Sequence, residues 1–508
     1  MQIHFERKAF LRQFKLAAGA VPTRDVKPIL CNVKITADKK FGAVLHATDT
    51  EIGIRILVDV DVTEDGAVLV PIKEFRTMLE STKDNHLTLE SKDGGWRLIG
   101  KENVNEWYSS DPDEFPDVSD FTAESYHEIS ADELYRAIKR TVFAVEKDGT
   151  RHALSGVLFE SKRNLDGGHT IFAVATDGRR MAVQELYADC IGDHSLGLYE
   201  DERPKQQTIV PVKTLQLVEK VLKSMSCKNV SLNCAIGSIK MAVGTGHVTF
   251  QCGNVTIFSR LVDGKFPKWR GIIPKKNNTL QAVVKSGFLL SAVKSVEIGT
   301  TSTDFGITLT FDPGRLTLEA KSREKAETKA EIPVNLCGDD GKTVVKIDPS
   351  YLTSMLKTLD SDTMLTFELN GVDPISITTS DDYLYLVMPI GEFDVEKNGV
   401  NISRAIRKEE KSAYQAEVEN KTEESEPDDE DEDTTDEEEE KEEDEDHSEV
   451  PIDEDGYMGA AVSHCSDGRV YLRNVLSGGH VYGKDGTGEQ TGDCQTFSPA
   501  RQGHYRCR

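Results

Sequence analysis

No apolar stretch in this sequence reaches the roughly 18 residues that a membrane-spanning helix needs, so a helical membrane protein is not expected. The first ten residues, MQIHFERKAF, carry charges where a signal peptide has its apolar segment, and a cytoplasmic location is expected instead. Nine cysteines are scattered without a CxxC pair, which suits a reducing compartment better than a disulfide framework; Cys227 and Cys234 read as core. There is no GxSxG, no HExxH and no His/Cys/Asp cluster at metal spacing, so no catalytic residue, metal or cofactor is expected. One near match, GGHVYGKD (478–485), fits GxxxxGK. Asp485 stands where a phosphate-binding loop needs Ser or Thr for Mg²⁺, and no helical pattern follows, so it reads as chance.

What is present is an uneven charge. The net charge is −27, but residues 417–455 alone hold 25 Asp/Glu against two Lys, a local −23. Residues 456–508 carry six Lys/Arg and four Asp/Glu, which leaves only −6 for residues 1–416. The body is mildly acidic and the acidity belongs to a tail. That low-complexity run cannot bury enough apolar surface to fold alone and is expected to be disordered.

The body repeats itself. VLVPIKEFRTMLEST (68–82) returns as TIVPVKTLQLVEKVLKS (208–224) and more loosely as VKIDPSYLTSMLKTL (345–359). Pro71, Pro211 and Pro349 are expected in the first turn of a helix, where a missing N–H costs nothing. A second helical unit opens each third, at 6–20, 130–145 and 284–298, and Ser130 with Glu133 has the spacing of a capping box. Alternating segments such as HLTLES (86–91), NVSLNC (229–234) and TLTFD (308–312) read as strands. The pattern predicts an α+β chain of three similar domains, each of two helix-plus-sheet half-units: 1–124, 125–264 and 265–393. Aromatic-proline segments at 114–121 and 264–274 mark the joints, and 394–508 forms an extension.

Lys and Arg recur at helical spacing. Arg136, Lys139 and Arg140 share one face, Lys213, Lys220 and Lys223 another, and Lys73 with Arg76, and Lys8, Arg12 and Lys15, do the same in the first third. One such stripe is an ordinary solvated face. Repetition across an acidic body points instead to a surface that meets phosphates without reading sequence. VATDGRRMAV (174–183) is the sharpest local motif: a Thr-Asp-Gly hairpin turn followed by Arg179 and Arg180. A related turn, HATDTEIGI (46–54), suggests that the Thr-Asp pair is structural and the arginines are not.

Together with RHALSGVLFE (151–160), ATDGRRMAV (175–183), SRLVDGKFP (259–267) and YLVMPI (385–390), these features resemble the beta subunit of bacterial DNA polymerase III over residues 1–390. The resemblance implies a DNA-clamp fold, a homodimeric ring with helices around a central channel, and a non-enzymatic processivity factor encircling duplex DNA. It also implies partners: the clamp loader and the replicative and repair DNA polymerases, which dock a short peptide in an outer cleft between the second and third domains. Carried over by position, that cleft takes in Leu154, Thr176, Gly178, Arg179, Arg180, Met181, Pro267, Ile272, Tyr351, Val387, Met388, Pro389 and Ile390. An adaptable Leu/Met/Ile/Val/Pro groove with a few polar edges suits a peptide. Arg24 and His152 match DNA-contacting positions, and Trp107 a ring-closing interface. Gly271 and Gly391 stand where the family often has basic residues, which leaves the rim's peptide preference open. Two other classes compete: a peptide-binding repeat scaffold without DNA encirclement, and a repair enzyme on the same architecture, which lacks any catalytic set. The tail reads as a solubilising appendage or as a weak competitor at the cleft.

Overall fold

Amphipathic helices alternate with runs of short antiparallel strands, two helices to each third of the body. In the computed structural model, residues 1–390 are described except 23–26, 148–150, 198–206, 227–236, 275–279, 323–324, 338–341 and 370–373. Beyond them only the strands Asp394–Lys397, Val400–Asn401, Ala461–His464, Val470–Val475 and Val481–Lys484 are described. The segment NVSLNC, the acidic run, Arg24, Gly391 and Cys227, Cys234, Cys465, Cys494 and Cys507 lie outside the described residues. The chain divides into two units, Met1–Glu424 and Ser425–Arg508. In the second, Ala461–His464, Val470–Val475 and Val481–Lys484 pair as an antiparallel three-stranded sheet.

The helices of the first unit are α1 (Arg7–Ala17), α2 (Ile72–Ser81), α3 (Ala131–Thr141), α4 (Val212–Ser226), α5 (Ser286–Glu297) and α6 (Pro349–Leu356). They pack in pairs, α1 on α2, α3 on α4 and α5 on α6, each pair lying on its own sheets. Their apolar stripes meet the inward faces of the strands, and the main core includes Phe10, Phe14, Phe75, Leu134, Val218, Leu289 and Leu352.

Helix starts differ in detail from the sequence reading. Only Pro349 occupies a first helical turn. Pro71 and Pro211 stand one residue earlier, ending strands in extended backbone. Ser130 makes no side-chain cap, and Glu133 instead accepts a hydrogen bond from the Tyr187 N–H at 3.3 Å, so no capping box forms. A neighbouring strand offers Glu133 a better donor than its own helix does.

The Thr-Asp turns are the same device built twice. Thr176 Oγ1 donates to the Arg180 carbonyl and accepts from Gly178 N, while Asp177 Oδ1 accepts from the amides of Arg179 and Arg180. In the first third Thr48 Oγ1 donates to Ile52 O and accepts from Thr50 N, while Asp49 Oδ1 accepts from Glu51 N and Ile52 N. The turn demands a left-handed residue at its third position. Gly178 meets that demand at φ 87°, but Thr50 is forced to φ 79°. A β-branched residue there carries about 1–2 kcal/mol of steric strain.

Thr50→Gly is therefore expected to stabilise the protein by about 0.5–1 kcal/mol, the relieved strain exceeding the added chain entropy. Gly178→Ala should destabilise it by a similar amount. Urea unfolding of the two variants checks both signs, and a stability loss in Thr50→Gly refutes the strain.

Candidate functional site

The second and third thirds meet along a strand pair that fixes most of the expected cleft. Arg180–Ile191 runs antiparallel to Tyr383–Val387, with Arg180 opposite Val387 and Gln184 opposite Tyr383. Strand alternation sends side chains to two different cores. Ala182 and Leu186 join the helix-side core, as do Tyr383, Tyr385 and Val387. Met181, Val183 and Leu386 point the other way, into a separate apolar cluster with Leu154, Leu158, Val174, Ile209, Phe266 and Trp269.

This second cluster is a small apolar core on the opposite face of the strand pair. Leu154 and Met181 are buried in it, while Pro267, Ile272 and Met388 are exposed. Val387 does not face it: the residue is fully buried in the helix-side core. Phe266, Trp269 and Leu386 do contribute, and the sequence reading missed them. For Phe266 and Trp269 the signal was the aromatic-proline segment itself, read only as a domain joint; Leu386 lies in YLVMPI, beside Val387. Trp269 is held by its indole N–H donating to Glu160 at 3.2 Å, and the same carboxylate takes Arg270 at 2.6 Å. Gly271 is exposed with open space at its Cα.

Arg180 ties the groove's end together. Its Nε donates to Asp177 at 2.8 Å, its Nη2 donates to the Phe143 carbonyl at 3.0 Å, and the guanidinium lies 4.8 Å from the Tyr351 ring centroid. Buried to this extent, Arg180 is a structural clamp as much as a contact residue. Thr176 is likewise buried, spent on the turn. Exposed Arg179 reaches the Tyr351 hydroxyl, and its backbone carbonyl accepts from Met388 N at 2.9 Å. Pro389 is half-buried, and Ile390 N donates to Lys346 O, so the chain leaves the strand along the third domain.

The cationic positions divide into two groups. Lys73, Arg76, Lys220, Lys223 and His152 are exposed, Lys139 and Arg136 partly so. Arg76 is paired with Glu80, and Lys223 with Glu219, within their helices. Arg140 is not on the exposed stripe: it is 5% exposed, with Nη1 donating to Gln184 at 2.9 Å and lying 2.8 Å from Asp381. Asp381 belongs to the third domain and also draws Arg136, at 3.6 Å. Burial pushes the Asp381 carboxyl up, but hydrogen bonds from Thr379 and Arg140 outweigh it and hold the group below its ordinary value. Lys213 is committed too, to Asp49 of the first-domain Thr-Asp turn. Helical spacing placed Arg136, Lys139 and Arg140 on one face, but a carboxylate 241 residues from Arg140 captures two of the three.

Trp107 lies on the sheet-edge strand Val104–Tyr108, stacked on Trp96 at 6.2 Å, beside exposed Val104 and Tyr108. No helix among the described residues is long and apolar enough to cross a membrane.

Comparisons with known proteins agree with this geometry. Family models for the DNA polymerase III beta subunit match in order: the N-terminal domain over residues 1–119, the central domain over 128–268 and the C-terminal domain over 270–391. A beta sliding clamp of Pseudomonas putida is 26% identical, covering 77% of this chain and all of its own. One of Chlamydia muridarum is 24% identical, over 77% and 99%. Among solved structures, a sliding clamp of Pseudomonas aeruginosa bound to griselimycin superposes with TM-score 0.67 at 25% identity, over 77% and 99%.

Removing Arg140 takes the nearer of its two cations from Asp381 and leaves the buried Gln184 carbonyl without its donor at the domain joint. Arg140→Ala is expected to cost about 3–5 kcal/mol, whereas Lys139→Ala should change stability by about 0.5 kcal/mol or less. The pH dependence has a definite sign: a carboxyl held below its ordinary value stabilises the fold above that value and stops doing so as pH falls through its folded value. Asp381→Asn should therefore flatten the loss of stability below about pH 4. Denaturant midpoints measured from pH 7 to pH 3 test both, and equal costs for the two helix variants would refute the assignment.

Proposed function

Because the chain belongs to the DNA polymerase III beta subunit family, we propose that it forms half of a closed ring, two copies meeting head to tail around duplex DNA. The chain is a DNA sliding clamp, a non-catalytic processivity factor of a DNA polymerase. What we add is how this chain builds the device, taking 1–124, 125–264 and 265–393 as its clamp domains and 394–508 as an extension.

One observation carries the ring. Among the described residues, a run of four or five strands follows the first helix of each domain and a run of three follows the second. The third strand of the first run in domain one, Ile52–Val58, pairs antiparallel with the third strand of the second run in domain two, Val255–Arg260. Domains two and three repeat this with Arg180–Ile191 and Tyr383–Val387. One equivalent strand of each kind is left over: Glu327–Pro333 in domain three and Val104–Tyr108 in domain one, each at the edge of its sheet. Unpaired edges invite a partner, and each of these is the other's counterpart. Tyr108 is 90% exposed and Ile298, at the end of the helix packed on Glu327–Pro333, 66%. Those apolar side chains, with Trp107, would be covered by closure.

On this reading the helices line the channel. Exposed Lys73, Arg76, Lys139, Lys220 and Lys223, with His152 and Arg24, would meet phosphates. Retention comes from topology, so a body of −6 is compatible with DNA. The outer groove of Leu154, Met181, Pro267, Ile272 and Met388 would take the short peptides of the clamp loader and of replicative and repair polymerases. Griselimycin, bound by the Pseudomonas aeruginosa relative, is a ready probe.

Sedimentation should report two chains per particle, and Trp107→Asp combined with Ile298→Asp should give one. A wild-type monomer at micromolar concentration overturns the ring. Ile272→Glu with Met388→Glu should weaken griselimycin binding at least tenfold while leaving dimerisation intact. Lys139→Glu with Lys220→Glu should weaken retention on nicked circular DNA with no effect on griselimycin, and the opposite pattern would refute the assignment of the two faces.

A further inference from the structure

Three histidines far apart in sequence meet inside the second domain. His127 Nδ1 lies 2.6 Å from His194 Nδ1, and His127 Nε2 lies 2.8 Å from His169 Nδ1; all three rings are buried. Val243 N donates to His194 Nε2 at 2.8 Å, which fixes the protons: His194 donates from Nδ1 to His127, and His127 from Nε2 to His169. Burial lowers His127 to about 3 and His194 to about 4, and lowers His169 as well, so the rings are neutral at pH 7. Cys190 stands directly opposite His127 in the pairing of Tyr126–Ser130 with Arg180–Ile191, and its Sγ lies 3.5 Å from the His194 carbonyl. One donor atom each of His127, His169 and Cys190 lies within 4.8 Å of the others. Cys190 is only half-buried, so the cluster opens to solvent on that side.

We propose that His127, His169 and Cys190 form a binding site for a zinc-like divalent cation, with water in the fourth position. Two imidazoles and a thiolate are the donor set that such a borderline-soft cation selects. Bond lengths of about 2.0–2.3 Å set tetrahedral donors about 3.3–3.7 Å apart, so the His127 and His169 nitrogens open slightly from 2.8 Å while the Cys190 sulfur closes from at most 4.8 Å. The protons balance. The Cys190 thiol releases one proton to solvent as its sulfur binds the cation. His127 gives up its Nε2 proton and takes the one His194 holds on Nδ1, and His194 regains a proton on Nε2, releasing Val243 N. The cation would tie Tyr126–Ser130, His169–Thr176 and Arg180–Ile191 together, the last being the strand that joins domain three. No sequence spacing reveals the site, because His169 and His194 lie 42 and 67 residues from His127.

The test uses the full chain, stripped with a chelator and titrated with Co²⁺, whose thiolate charge-transfer and tetrahedral ligand-field bands report the donors. One Co²⁺ per chain, displaced by Zn²⁺, is expected, with a melting temperature that rises with free Zn²⁺. Cys190→Ser should lose the charge-transfer band while keeping its circular dichroism and dimer. His127→Gln should weaken binding at least tenfold, and His169→Gln serves the same purpose if that variant does not fold. A chain with Cys465, Cys494 and Cys507 all replaced by Ser should retain the band. No cobalt band in the wild type, or one of equal intensity in Cys190→Ser, overturns the site.

Discussion

The unpaired backbone of a sheet edge is the constraint on which this structure depends. Each helix-plus-sheet half-unit is too small to close on itself and ends in a strand whose outer N–H and C=O groups need partners. Inside the chain those partners come from the next domain, through Ile52–Val58 with Val255–Arg260 and through Arg180–Ile191 with Tyr383–Val387. Backbone pairing fixes the angle between domains more rigidly than side-chain contact alone, because a one-residue slip would turn every side chain to the wrong face. A slip at Arg180–Ile191 would exchange Met181 and Val183 with Ala182 and Gln184, turning an amide into the outer apolar cluster and withdrawing it from Arg140 on the helix side.

Charge is arranged around those joints as much as on the helices. Arg140 and Arg136 meet Asp381 across one joint, and Lys213 meets Asp49 across the other. Arg55 pairs with Asp120 beside the first joint, linking its strand to the segment between domains. Cations spent this way lock domains and are lost to phosphate. That division suits a device that must slide: each cation withdrawn from phosphate makes electrostatic traps along the duplex shallower.

Periodicity made the six helices, the threefold repeat and the Thr-Asp turns legible, since each is written in neighbouring residues. The fate of a helix's cations was not. Arg136, Lys139 and Arg140 lie on adjacent turns, and only the third domain's Asp381 separates the buried arginine from the accessible lysine. Val387 was misread for a related reason: YLVMPI gives the alternation of a strand without saying which face looks outward. The histidine cluster was hidden further still, because strand pairing, not spacing, brings His127 against Cys190.

The strand Arg180–Ile191 shows why these features cannot be altered independently. At its start Arg180 closes the Thr-Asp turn and braces Tyr351; next, Met181 and Val183 form the groove; Gln184 then accepts from Arg140 and donates to the Asp381 carbonyl; at its end Cys190 faces His127. Outer apolar cluster, domain joint and histidine cluster thus share one backbone. A rigid strand is the means by which a sheet holds such distant contacts in fixed register. The same rigidity ties the outer cluster to the joint: a shift of Met181 is carried by its neighbours Arg180 and Ala182, whose pairing holds the third domain.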